Sequence, residues 1–238
     1  MRAGKLAVVF TFLVFFAAFA AVSAHADLYW ESENVSKGIP HQPDGMKIHK
    51  NYFTATATRI DPGDGKVIII DYTTMMGYTL NPQNRTYSQM NLGEPPPLPP
   101  DMPAAEKKKM DKMMGEMMQF NITPTNETKT IEGYKCRKYL ADMVMMQGEY
   151  WVSKDVKGYQ ELRSMSAKMA AAAEKNPMLR QMNVAAMIEK LDGFPVQTVN
   201  SMMGGTITST LKKVEQRSLD PALFKVPKDY KLREMRMQ

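Results

Sequence analysis

Methionine is the residue of this chain whose number and spacing could support specific chemistry. The chain has 23 methionines among its 238 residues. Four of them are spaced by three and four residues, which places them on one side of a helix: Met110, Met113, Met114 and Met117. Thioether sulfurs are soft ligands that bind Cu(I). One hypothesis is therefore a copper-binding protein that uses these four residues as metal ligands.

The same methionines fit two other interpretations. Unbranched, polarizable side chains pack well around irregular apolar ligands, and a stripe of them is also typical of the core side of an amphipathic helix. Methionine pairs recur elsewhere, at 75–76, 145–146 and 202–203, which favours cavity lining or core packing over metal binding. The residues predicted to line an apolar ligand cavity are Met110, Met113, Met114, Met117, Met118, Leu162, Met165, Met169, Met178 and Met182.

The sequence carries no motif that would support catalysis. Cys136 is its only cysteine, and His41 and His49 lie far from it along the chain. A thiolate nucleophile needs a neighbouring base, so we expect Cys136 to be a buried apolar side chain. Zinc-protease, P-loop, nucleophile-elbow and dinucleotide-binding motifs are all absent from the sequence. A non-enzymatic protein without a cofactor is predicted.

The first 26 residues have the features of a secretory signal peptide. Arg2 and Lys5 precede an apolar run from Leu6 to Val22, and an A-x-A sequence ends at Ala26. We predict cleavage after Ala26, a periplasmic location and no stable membrane span in the mature chain; an uncleaved anchor is the alternative.

Loss of the two positive charges of the signal lowers the net charge from +6 to +4. This mild basicity, without interleaved aromatic residues, argues against a nucleic-acid partner.

Beyond the signal, residues 27–238 are predicted to form a single domain of the α+β class. Alternating or β-branched segments bounded by turn residues predict strands at 52–58, 66–72, 77–80, 86–90, 122–131, 134–143, 149–153, 194–200 and 206–214. Helical periodicity predicts helices at 104–119, 159–174 and 178–191, and the proline-rich segment 94–103 is predicted to be a stiff connector. Strands grouped into meanders, with helices inserted as blocks, indicate an antiparallel sheet with helices on one face.

Several segments in a fixed order resemble an uncharacterised family of exported bacterial proteins, a domain of unknown function related to the periplasmic lipoprotein carriers of the Lol system. These segments are IIIDYTTMMGYTLNPQNRTYSQM (68–90), IEGYKCRKYLADM (131–143), GEYWVSKD (148–155), GFPVQ (193–197) and LDPALFKVPKDYK (219–231). The resemblance implies a half-open, curved antiparallel β-barrel whose concave face is covered by helices. In the carriers, the enclosed apolar cavity accepts acyl chains. The resemblance brings no catalytic residues.

The leading functional hypothesis is a non-enzymatic periplasmic binding or carrier protein for an apolar ligand, which would be a lipid, an acyl chain or a lipidated peptide. Two alternatives come from other classes of protein. One is the methionine-rich periplasmic copper-binding protein. The other is a structural envelope protein that binds no small ligand.

Overall fold

A computed structural model describes residues 27–40, 42–92, 102–103, 105–106, 109–110, 121–143, 146–173, 190–202 and 204–233. The strands are β1 (Leu28–Lys37), β2 (Gly45–Phe53), β3 (Ala57–Asp61), β4 (Val67–Asp71), β5 (Met76–Asn81), β6 (Thr86–Asn91), β7 (Asn121–Ile131), β8 (Tyr134–Met143), β9 (Met146–Ser153), β10 (Phe194–Met202), β11 (Gly205–Gln216) and β12 (Lys231–Leu232). Helix α1 is Tyr159–Ala173, and Pro221–Phe224 is a short 3-10 helix.

The twelve strands form one curved, open sheet. Their order is β12-β6-β5-β4-β3-β2-β1-β11-β10-β9-β8-β7, so β12 and β7 are the two edges. Every neighbouring pair is antiparallel except β12 and β6, which are parallel. Helix α1 packs on the sheet through Met165 and Leu162. The predicted curved antiparallel sheet of an α+β protein is confirmed, and the sheet does not close into a barrel.

Most of the predicted elements are present with similar bounds. The strands predicted from residue 66 onwards and the helix predicted at 159–174 are confirmed. Of the helix predicted at 104–119, the described residues 105, 106, 109 and 110 have helical backbone. The remainder of that helix, almost all of the helix predicted at 178–191, most of the proline-rich connector and the predicted signal peptide lie outside the described residues.

The strand predicted at 52–58 is wrong, because the chain reverses direction inside it. Strand β2 ends at Phe53 and β3 begins at Ala57. The Thr54 hydroxyl oxygen accepts hydrogen bonds from the backbone N–H groups of Ala57 at 2.9 Å and Thr56 at 3.2 Å. A threonine that bonds nearby N–H groups offers the backbone an alternative to the strand ladder. The apparent alternation of apolar residues therefore runs across a turn.

Strand β1 is absent from the sequence prediction, although it lies in the interior of the sheet. It pairs with β2 on one side and with β11 on the other, and it thus joins the N-terminal hairpins to the C-terminal strands. Two of its buried positions are polar, Ser32 and Asn34. The Asn34 side-chain amide donates to the Ser32 carbonyl at 3.1 Å and to the Ser32 hydroxyl at 3.0 Å, which satisfies it locally.

The main hydrophobic cluster connects the sheet to α1. Its buried members are Leu28, Phe53, Cys136, Trp151, Val156, Tyr159, Met165, Phe194, Val196 and Leu211. The ring of Trp30 meets Phe53 and Phe194 edge-on, with centroid distances of 6.1 and 5.8 Å, a favourable aromatic arrangement. The predicted burial of Cys136 is confirmed. This burial raises the pKa of its thiol above the ordinary value.

Candidate functional site

An apolar cavity of about 200 Å³ lies where α1 faces β1, β10 and β11. Its lining residues are Trp30, Ser32, Leu162, Phe194, Pro195, Val196, Thr198, Ser209 and Leu211. Two of them, Phe194 and Val196, are almost completely buried. The cavity is therefore bounded by well-packed side chains of the main hydrophobic cluster.

Strand register brings these residues to one place. Residues two apart in a strand share a face, which places Trp30 and Ser32 side by side on β1. Thr198 of β10 pairs with Ser209 of β11, and Ser32 pairs with Leu211. The strand ladder between β9 and β10 is irregular between Pro195 and Gln197, where proline cannot donate a ladder hydrogen bond.

The lining chemistry suits an uncharged ligand. Among the described residues that line the cavity none has an ionisable side chain, and the polar side-chain groups are three hydroxyls and the indole N–H of Trp30. The Ser32 hydroxyl already accepts a hydrogen bond from Asn34. A dry cavity of about 150 Å³ is enough for a benzene-sized guest. The cavity can therefore hold a short apolar group, such as the end of an acyl chain.

The described residues among those predicted to line the ligand cavity lie in different places in the structure. Leu162 lines the cavity, and Met165 is buried in the main hydrophobic cluster next to Leu162. Met110 has a helical backbone, is half-buried and lines neither described cavity. Met169 belongs to α1. The other predicted lining residues lie outside the described residues: Met113, Met114, Met117, Met118, Met178 and Met182.

The copper-binding hypothesis stays a prediction, because three of its four proposed ligands lie outside the described residues. Within the described part of the chain there is no group of three or more His, Cys, Asp or Glu residues that could hold a metal ion. That part of the chain also contains no helix that is long and apolar enough to cross a membrane.

The aromatic wall of the cavity was not predicted. Trp30 and Phe194 are 164 positions apart in the chain, and only the pairing of β1, β11 and β10 brings them together. The sequence Gly193-Phe194-Pro195 does carry a local indication of this wall. A Cβ at Gly193 would lie 2.8 Å from the Cγ2 atom of Val152, and glycine next to proline in a strand indicates close packing and irregular pairing.

A second, larger groove of about 620 Å³ lies along β7, β8 and the end of β9. Four of its lining residues are cationic, namely Lys129, Lys135, Arg137 and Lys154, and two are carboxylates, Asp155 and Asp192. The other lining residues are Thr128, Thr130, Cys136, Tyr139, Val152 and Ser153. The groove is thus polar and carries an excess of positive charge, in contrast to the cavity beside α1.

Asp192 links the groove to the helix. It forms an ion pair with the Lys154 ammonium group and accepts a hydrogen bond of 2.9 Å from the Tyr159 hydroxyl. The bond to Lys154, followed by the bond to Tyr159, lowers the pKa of Asp192 below its ordinary value. The loop before β10 is therefore held to the first residue of α1.

Replacing Asp192 with asparagine is expected to lower the free energy of unfolding by about 1 kcal/mol at neutral pH, since a partly exposed charged pair is screened by solvent. The folded-state pKa is lowered, so this contribution is present above the ordinary aspartate pKa of about 3.9 and is lost as the pH falls through the folded value. Urea midpoints measured across this pH range test the prediction.

Asp155→Asn is the matched control for that experiment, because Asp155 forms no ion pair with any other described residue. We expect it to change the urea midpoint little at neutral pH. A difference between wild type and Asp192→Asn that persists undiminished in acid would contradict the assignment of the stabilisation to the charged carboxylate.

The comparisons with known proteins give one family and several distant structures. Residues 42–230, more than half of the chain, match the family described as "Domain of unknown function (DUF4412)". No curated protein matches the chain. These findings confirm the predicted membership of an uncharacterised domain family.

Solved structures that match the chain include PNGF-II, at 14% identity and a TM-score of 0.42. The match covers 88% of this chain and only 31% of that protein. A putative outer membrane lipoprotein-sorting protein domain from Vibrio parahaemolyticus has 9% identity and a TM-score of 0.36, with 85% and 90% of the two chains covered. A DUF1329 family protein from Desulfovibrio piger has 12% identity and a TM-score of 0.36, with 85% and 91% covered. By the match over residues 42–230, the chain belongs to the DUF4412 family.

Proposed function

We propose that this protein is a non-enzymatic binding or carrier protein of the bacterial periplasm, and that its cavity beside α1 holds the apolar chain of a lipid, acyl group or lipidated peptide. The proposal rests on the cavity of about 200 Å³, because the described residues that line it are apolar, aromatic or hydroxyl-bearing and none of them is ionisable. Sites that bind small molecules are typically concave and mostly apolar, with a small number of polar groups that orient the ligand.

The size of the cavity limits how much affinity it can provide. Each buried methylene contributes about 0.8 kcal/mol. A short apolar segment would thus gain a few kcal/mol, part of which is offset by the loss of ligand freedom. We propose that the predicted methionine-lined helices provide further contacts for a longer chain. Flexible thioether side chains would accept chains of different length and shape.

The test is the binding of a neutral apolar dye, N-phenyl-1-naphthylamine, whose fluorescence rises in an apolar site. Leu162→Trp adds a bulky ring to the cavity wall, and we expect it to weaken dye binding at least about tenfold. Ser209→Leu fills the cavity from the opposite wall and should have the same effect. Two variants are used because either one alone could disturb packing.

The matched control is Leu140→Trp, which changes the same residue type on β8, where the leucine is 37% exposed and lines neither cavity. It should bind the dye like the wild type. The proposal fails if Leu162→Trp and Ser209→Leu keep a native circular dichroism spectrum and bind the dye with unchanged affinity. It also fails if Leu140→Trp weakens binding equally.

A further inference from the structure

The groove along β7, β8 and β9 contains positive charge that the described structure does not neutralise. Lys154 is paired with Asp192, and the Lys129 ammonium donates to the Gln197 side-chain oxygen at 3.1 Å while lying 4.0 Å from the ring centre of Trp151. Lys135 and Arg137 have no carboxylate partner among the described residues. These two exposed cations are therefore available to a ligand.

The position of Arg137 is fixed by its surroundings. Its Nε atom donates to the Thr125 carbonyl at 2.8 Å, and its guanidinium group lies 5.8 Å from the ring centre of Tyr139. No described residue accepts a hydrogen bond from its terminal nitrogens. A guanidinium held in this way presents two parallel donors, the geometry that binds phosphate or carboxylate oxygens.

Hydroxyl groups accompany the two cations. Thr128 of β7 is directly opposite Arg137 of β8, and Thr130 is opposite Lys135. Directly opposed residues project from the same face of a sheet, so the two hydroxyls of β7 lie beside the two cations of β8. Such a set of donors matches an oxyanion. Asp155 also lines the groove, but four cations against two carboxylates leave the charge of the lining positive.

The groove is adjacent to the apolar cavity. Val152 and Ser153 line the groove, and their pairing partners on β10 are Pro195 and Phe194, which line the cavity. Neighbouring strands lie about 4.8 Å apart. The groove and the cavity are therefore lined by directly paired residues of β9 and β10, about one strand spacing apart. A volume of about 620 Å³ is large enough for a head group with more atoms than phosphate alone.

We propose that the groove binds the anionic head group, a phosphate or a carboxylate, of the ligand whose apolar chain enters the cavity beside α1. Lys135 and Arg137 are the residues that contact this head group, and Thr128 and Thr130 add hydroxyl donors. The inference rests on the proposed function, because it assumes that the cavity takes an apolar chain. It adds the ligand class: an acidic amphiphile in preference to a neutral one.

The experiment compares three probes by isothermal titration calorimetry: octyl phosphate, 1-octanol with the same chain and no charge, and inorganic phosphate. Wild-type protein is expected to bind octyl phosphate at least about tenfold more tightly than octanol. In the double variant Lys135→Gln/Arg137→Gln this difference should disappear while octanol affinity stays the same. Lys47→Gln/Lys66→Gln, which removes two exposed cations elsewhere, should leave the difference intact.

The outcomes separate this inference from the proposed function. If octanol binding depends on Leu162 but octyl phosphate binds no better than octanol, or Lys135→Gln/Arg137→Gln binds octyl phosphate like the wild type, the head-group inference is wrong and the proposed function stands. If neither octyl compound is affected by Leu162→Trp, the proposed function is wrong. Inorganic phosphate that binds as tightly as octyl phosphate would show a free-anion site and overturn the inference.

Discussion

Replacing Phe194 with alanine is expected to lower the free energy of unfolding by about 3–5 kcal/mol. Phe194 is 2% exposed, belongs to the main hydrophobic cluster and meets Trp30 edge-on at 5.8 Å. Its removal forfeits the burial of the ring and also enlarges the cavity of about 200 Å³ that it borders. Domains are stabilised by about 5–15 kcal/mol in total, so the urea midpoint should fall strongly.

Phe224→Ala is the control for this substitution, because Phe224 is half-buried in the short 3-10 helix and lies outside the main hydrophobic cluster. We expect a loss of about 1 kcal/mol. If Phe194→Ala does not fold, Phe194→Leu keeps part of the apolar volume and its smaller loss can be measured. If the alanine variants at positions 194 and 224 lose the same free energy of unfolding, Phe194 does not form part of a closely packed interior.

The second large effect is expected for Gly205→Ala, at the start of β11. A Cβ atom at Gly205 would lie 2.5 Å from the carbonyl carbon of Gly38 and 2.6 Å from the backbone nitrogen of Ile39. These are backbone atoms, which cannot move aside as the end of a side chain can. We expect a loss of about 1–3 kcal/mol in the free energy of unfolding, measured by urea denaturation.

Gly45→Ala tests whether that cost comes from the contact with Gly38. At Gly45, the first residue of β2, no atom lies within 4 Å of the added Cβ. Alanine there should change stability by a few tenths of a kcal/mol at most. A similar loss in both variants would instead indicate a general cost of alanine in these strands.

The hairpins could be predicted from the sequence because their determinants are local. Asp61 to Gly65 and Asn81 to Arg85 contain the residues that turns require, and the structure places turns there between β3 and β4 and between β5 and β6. Gly63, Gly65 and Arg85 all have positive φ angles. The helix at 159–174 could likewise be predicted from its apolar periodicity, which placed Leu162 and Met165 on one face.

Strand β1, the candidate site and the basic groove could not be predicted in the same way, because they depend on contacts between residues far apart in the chain. β1 was missed because Ser32 and Asn34 occupy buried positions and satisfy one another. The candidate site was predicted only through Leu162, since its aromatic wall is assembled by the pairing of strands far apart in the chain. The basic groove is likewise formed only by strand pairing. On β8 alone, Lys135 and Arg137 look like an ordinary solvated strand face, and Thr128 and Thr130 oppose them only after pairing with β7.

The pairing of β1 with β11 also bears on when this protein can fold. Leu28 is opposite Gln216, so all of residues 28–216 must be synthesised before β1 can pair with its second neighbour. Until then Phe194 and Leu211 are missing from the interior, and closing so long a loop is slow. The pairing of β1 with β11 is therefore expected to be one of the last steps of folding.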